Sequence, residues 1–353
     1  MKAFVLFSSA FAFGPLLLAA APDFVGSKNC STSGCHGGAG DLSKQYTVWF
    51  RADPHSRGHS TLTTARSARM AEALGMADAA RDARCTTCHA PFAAVAPERL
   101  AASARIEEGI SCESCHGAAE GWWRSHTRKD YSRGQRVAAG MRDLQDLYLR
   151  ANTCVACHQV IDPELVRAGH PRLHFELESH QEREPRHWKE IWGGPQAWIT
   201  GQLAVLRELA HRRKTAEDDV VREDWESTLW VLKEILPAAE FARVLPEQPD
   251  AVVCDDFARQ LAGGKWNDNQ TEAVFKRLGQ LAGGMASRPA WTAMDAARWR
   301  KLAGGLAAVG ASMPGAKEER FREALERLRK PLDPGAKGPR VSLADDLKIV
   351  AGR

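Results

Sequence analysis

Residues 85–116 read CTTCHAPFAAVAPERLAASARIEEGISCESCH, so Cys85, Cys88 and His89 are followed within one short span by Cys112, Cys115 and His116 in the same order. Working outward, CVACH supplies Cys154, Cys157 and His158 on the C-terminal side. On the N-terminal side, CSTSGCH supplies Cys30, Cys35 and His36, with four residues rather than two between its cysteines. Eight of the nine cysteines therefore fall in four pairs, and every pair is followed at once by histidine. With 12 His in 353 residues, chance produces that pattern with a probability on the order of one in a million.

The spacing has a chemical reason. C-x-x-C-H is the attachment motif of c-type haem: two thiols form thioethers to the two vinyl groups of one porphyrin, and the adjacent imidazole swings under the ring to bind iron. Four such units predict four covalently bound c-type haems, held by Cys30, Cys35, Cys85, Cys88, Cys112, Cys115, Cys154 and Cys157, with His36, His89, His116 and His158 as iron ligands. Disulfides do not require histidine behind each pair, and neither does structural zinc. Cys254 is followed by Asp255 and Asp256 and stands outside the pattern; it reads as a buried, inert thiol.

Composition narrows the rest. The chain has 48 Lys and Arg against 44 Asp and Glu, a net charge of +4 that is too small and too dispersed to predict nucleic-acid binding. Its one strongly apolar stretch, Ala3 to Leu18, follows Lys2 and precedes Ala19, Ala20 and Ala21. That order of charged residue, short apolar run and small residues predicts a signal peptide over residues 1–21 and a periplasmic protein. Ser8, Ser9, Gly14 and Pro15 interrupt the run, so no stable membrane span is expected once it is cleaved.

Subtracting the four motif histidines leaves His55, His59, His126, His170, His174, His180, His187 and His211 as possible second ligands. Their use decides the chemistry, because an iron held by two imidazoles is closed to small molecules, whereas a five-coordinate iron can bind and transform one. His55 follows Pro54 at the head of a predicted helix, His126 lies in GAAEGWWRSH beside Trp122 and Trp123, and His170 precedes Pro171. These three are the candidate distal ligands. The other five read as structural or exposed.

The succession CSTSGCH, DPHSRGHSTL, CTTCHAP, GISCESCHGAAEGWWRSH, CVACH and AGHPRL resembles the tetrahaem cytochrome c family typified by the electron carrier of ammonia-oxidising bacteria. The resemblance spans roughly residues 26–190. It implies that His55 partners His116, that His126 partners His36 and that His170 partners His158. The second haem, on His89, would then keep an open position. The implied function is electron transfer between redox proteins, with periplasmic or membrane-bound donors and acceptors as partners. Relatives of that family also reduce or oxidise nitrogen compounds, so the alternative is an oxidoreductase acting on nitric oxide, hydroxylamine or nitrite at the His89 iron.

No haem motif follows residue 190, and the pattern becomes helical. Ile199, Leu203, Leu206 and Ala210 share one predicted helix face, as do Trp225, Leu229, Leu232 and Leu236 ahead of Pro237. LAGG recurs at Leu261, Leu281 and Leu302 and reads as three glycine-stopped helix ends. The expected fold is mainly α: a loop-rich multihaem cytochrome domain over residues 22–190, then a helical domain over residues 191–353 whose tryptophans belong to its core.

Overall fold

The structure is a computed structural model that describes residues 21–351, apart from 42, 159–160, 174, 178–193, 215–217, 238–244, 289, 314–315, 317 and 330–340. The apolar leader at residues 1–20 lies outside the described residues. The chain is mainly helical and loop-rich, as its sequence pattern predicts. Among the described residues, extended pairing is limited to one parallel bridge between Phe24 and Leu100.

Two textures meet along the chain. The first consists of short helices: α1 (Gln45–Ala52), α2 (Gly58–Leu62), α3 (Ala65–Ala73), α4 (Ala83–His89), α5 (Cys112–His116), α6 (Arg133–Ala138), α7 (Leu147–Val155) and α8 (Pro163–Arg167). Helices this short are marginal by themselves, so side chains fix their starts. The hydroxyl of Thr64 caps α3, and the carboxylates of Asp82, Asp146 and Asp162 cap α4, α7 and α8. Apolar packing here is thin, with one small cluster of Leu62, Ala71, Met76 and Ala79 and another of Val25, Ala119 and Trp122.

The second texture is a bundle of longer helices: α9 (Pro195–Arg212), α10 (Asp219–Ile235), α11 (Ala251–Gly263), α12 (Asp268–Ala286), α13 (Ala293–Gly310), α14 (Glu319–Arg329) and α15 (Val341–Ala351). The two apolar faces read from the sequence are both buried, and Trp198, Trp225 and Trp299 lie in this core. Cys254 is fully buried there, and burial pushes its thiol up to about 12.

The LAGG repeats have three different fates. The first ends α11, as expected, but the second lies inside α12 and the third inside α13. Close packing explains the third. A β-carbon on Gly304 would stand 2.6 Å from the Glu176 carboxylate, and one on Gly305 would stand 2.6 Å from the Trp198 ring. Glycine there admits neighbours into a helix interior rather than stopping it.

The bundle also grips the helix that carries the fourth Cys/His unit. Ala151 and Val155 of α7 are buried in its core. The Tyr148 hydroxyl donates to Asp255 at 2.7 Å, and Arg207 donates to Asp255 at 2.6 Å and to Asn152. Among the described residues, no helix is long and apolar enough to cross a membrane.

Candidate haem-binding site

Each Cys/His unit is set by a local device, an aspartate cap serving both the second and the fourth. In the second unit, α4 begins at Asp82, whose carboxylate accepts from the Arg84 backbone at 2.9 Å. The Arg84 side chain and backbone together hold that carboxyl at about 2. In the fourth, Asp146 accepts from the Leu149 backbone at 2.9 Å. In the third, Glu113 sits between the two cysteines, 1% exposed, and its carboxylate accepts from the backbone of Val25 (2.9 Å), Gly26 (2.7 Å) and Ala119 (2.7 Å).

The wider first unit forms a turn instead of a helix, closed by the His36 backbone donating to Cys30 at 3.0 Å. Gly37 follows because a β-carbon there would lie 1.8 Å from the Ser31 carbonyl. All nine cysteines are free thiols. Cys30 of the first unit hydrogen-bonds with Cys112 of the third, which lowers Cys30 and raises Cys112. In the same way Cys88 of the second unit meets Cys157 of the fourth, which holds Cys88 at about 7 and raises Cys157. The fold therefore brings the units together in two couples.

The imidazoles come together as well. The rings of His36 and His126 lie nearly parallel with centroids 6.0 Å apart. His55 and His158 are 5.8 Å apart at 85°, and His89 and His170 are 6.2 Å apart at 70°. A ligating imidazole nitrogen stands about 2 Å from its metal and the ring centroid roughly 1 Å farther, so two imidazoles across one iron have centroids about 6 Å apart. All three pairs have that spacing.

In five of these six imidazoles Nδ1 meets an oxygen. Nδ1 of His36 lies 2.8 Å from Gln45 Oε1, and Nδ1 of His170 lies 2.8 Å from the Pro171 carbonyl. Nδ1 of His89 meets the Gly58 carbonyl at 3.2 Å and the Thr61 hydroxyl at 3.0 Å. Nδ1 of His126 faces the Trp122 carbonyl at 3.3 Å, and Nδ1 of His55 meets Asp53 Oδ1 at 3.0 Å. When Nδ1 donates to such an oxygen the tautomer is fixed and Nε2 becomes the nitrogen available to a metal. Burial lowers the pKa of both His89 and His126, favouring the neutral imidazole that can ligate.

Six of the seven candidate histidines lie ring to ring in pairs, in an order that differs in part from the one the resemblance implies. His126 faces His36, as implied. His55 faces His158 rather than His116, and His170 faces His89 rather than His158. The physical reason lies in the chain path: the His55 carbonyl accepts from the Ile110 backbone at 3.1 Å, ahead of α5, while α8 returns His170 toward α3, where Arg66 donates to the Gly169 carbonyl at 2.6 Å. His116, half-buried at the end of α5, is not brought to His55 by the described ring contacts. Of the spare histidines, His59 lies on α2 and His211 is exposed on α9, whereas His174, His180 and His187 fall outside the described residues.

Sequence reading missed the residues that orient the rings, namely Gln45, Asp53, Thr61 and the Gly58 carbonyl. Asp53 carried a visible signal, a carboxylate two residues before a candidate ligand. The others act through the fold.

The donor set fits covalently bound haem: reduced thiols in pairs, imidazoles two by two at the separation one iron needs, and Nδ1 atoms held by oxygen. Among the described residues, no three His, Cys, Asp or Glu side chains gather as a structural zinc site requires. Neither curated proteins nor solved structures yield a match to this chain. Residues 29–117, which hold the first three Cys/His units, match the family described as cytochrome c554 and c-prime, and the match supports a c-type cytochrome that binds haem covalently and carries electrons.

Proposed function

We propose that this chain is a periplasmic tetrahaem c-type cytochrome that passes electrons between redox proteins, with haems at all four Cys/His units. The observation that carries the reading is the set of three imidazole pairs, His36 with His126, His55 with His158 and His89 with His170, spaced to hold one iron each. Bound haem supplies a one-electron couple whose potential the axial ligands and their hydrogen bonds set.

The protein's part is to hold these ligands still. Gln45, Asp53, Thr61 and the carbonyls of Gly58, Trp122 and Pro171 keep five of the six imidazoles in one tautomer and one orientation, so little rearrangement accompanies a change of charge. The fold sets Cys30 beside Cys112 and Cys88 beside Cys157, so neighbouring attachment points lie close, which favours hops between adjacent centres. The helical bundle fixes the fourth unit through Tyr148, Arg207 and Asp255. The thin apolar packing among the short helices accords with macrocycles filling that space.

An oxidoreductase working on a small nitrogen compound at His89 would need an open position opposite that imidazole. The His170 ring 6.2 Å away weighs against it.

Low-temperature EPR of the oxidised protein, followed by reduction and carbon monoxide, tests both readings. Low-spin signals from the first, second and fourth units, with no carbon monoxide uptake at the His89 iron, are expected. A high-spin signal with carbon monoxide binding, abolished when His89 is replaced, would overturn electron carriage as the sole function. Replacing His126, His170 or His55 by Ala should turn the haem of the first, second or fourth unit high-spin, respectively. Unchanged spectra would reject those pairings.

A further inference from the structure

Among the five imidazoles with an oxygen on Nδ1 described above, four meet neutral oxygens: an amide for His36, a carbonyl with a hydroxyl for His89, and single carbonyls for His126 and His170. His55 differs, because its Nδ1 lies 3.0 Å from a carboxylate oxygen of Asp53. Asp53 is 2% exposed, and the same Oδ1 accepts from the His55 backbone at 2.9 Å. Its carboxylate is therefore fixed against one imidazole and shielded from water.

A buried carboxylate standing beside the Nδ1 of a ligating imidazole places negative charge near the metal and so stabilises the metal's higher charge. We propose that Asp53 is a positioning residue that lowers the reduction potential of the haem ligated by His55, opposite His158, relative to the haems whose imidazoles meet neutral oxygens. This rests on the tetrahaem reading. It adds that the haems of the first, second and fourth units are graded by what stands behind their imidazoles, with the fourth the hardest to reduce.

The competing account is that Asp53 only caps the turn Pro54–Arg57, where its side chain takes the N-cap position. Asn caps about as well as Asp but carries no charge, so Asp53→Asn separates the two. The holoprotein is titrated potentiometrically while each low-spin EPR signal is followed, with His55→Ala identifying the signal that belongs to this haem.

In Asp53→Asn that signal should stay low-spin and shift toward reduction by about tenfold in its reduced-to-oxidised ratio at fixed potential, about 59 mV upward for a one-electron couple. The other signals should hold their positions. An unchanged or lowered potential would overturn the proposal, and so would conversion of that haem to high spin, which would mean that Asp53 only keeps His55 in place. Wild-type protein without covalent haem would instead defeat the tetrahaem reading on which this one stands, so the two failures are distinct.

Discussion

Glu113 shows how a single side chain between the two cysteines of a motif organises the chain around it. It is nearly inaccessible, and burial raises its pKa against the pull of the three backbone donors it accepts from. Val25 and Ala119 donate to one carboxylate oxygen and Gly26 to the other, so the N-terminal segment, the third unit and the loop toward His126 are tied at one point. Each buried donor left without an acceptor costs about 1–3 kcal/mol, so Glu113→Ala is expected to lower the unfolding free energy by about 3 kcal/mol or more. Glu113→Gln, which keeps one acceptor oxygen, should lose less. Urea denaturation measures both, and an alanine variant as stable as the parent would contradict this role. The Cys/His units stand out in the sequence because covalent attachment would impose a local spacing. Glu113 and Gln45 do not, because their partners are chosen by the path of the fold, while Asp53 stands two residues from His55 and only its burial was hidden.

The helices divide by what sets their ends. In the bundle, periodic apolar residues predict the buried faces of α9 and α10, and the structure buries them. The LAGG segments show the limit of such reading: a glycine pair looks alike whether it ends a helix, as in α11, or admits Glu176 and Trp198 into one, as in α13. Buried polarity was equally invisible. Asp224 on α10 is 7% exposed, and burial raises its pKa despite Lys301, Arg300 and Arg172 nearby. A carboxyl whose folded pKa lies above the unfolded value of about 3.9 stabilises the fold while protonated, and that contribution is lost as pH rises through the folded value. Asp224→Asn is therefore expected to melt above the wild type at pH 7, with the gap narrowing as pH falls toward about 4. A gap that does not change with pH, read by thermal denaturation, would contradict the assignment.

Across the whole molecule, the two textures divide the work. The N-terminal part offers short capped helices, little apolar core and four Cys/His units, while the bundle offers a conventional core and holds α7 firmly against it. The mainly helical class follows from the period of the apolar residues. The partner of each imidazole does not, because that depends on which loops the chain folds together. The central claim is that four haems are welded to this chain. Intact mass of the purified protein, with a pyridine haemochrome assay, tests it directly: the account predicts the mass of the polypeptide plus four haems, falling by one when Cys154 and Cys157 are both replaced by Ala. A polypeptide mass with no added tetrapyrrole would contradict it.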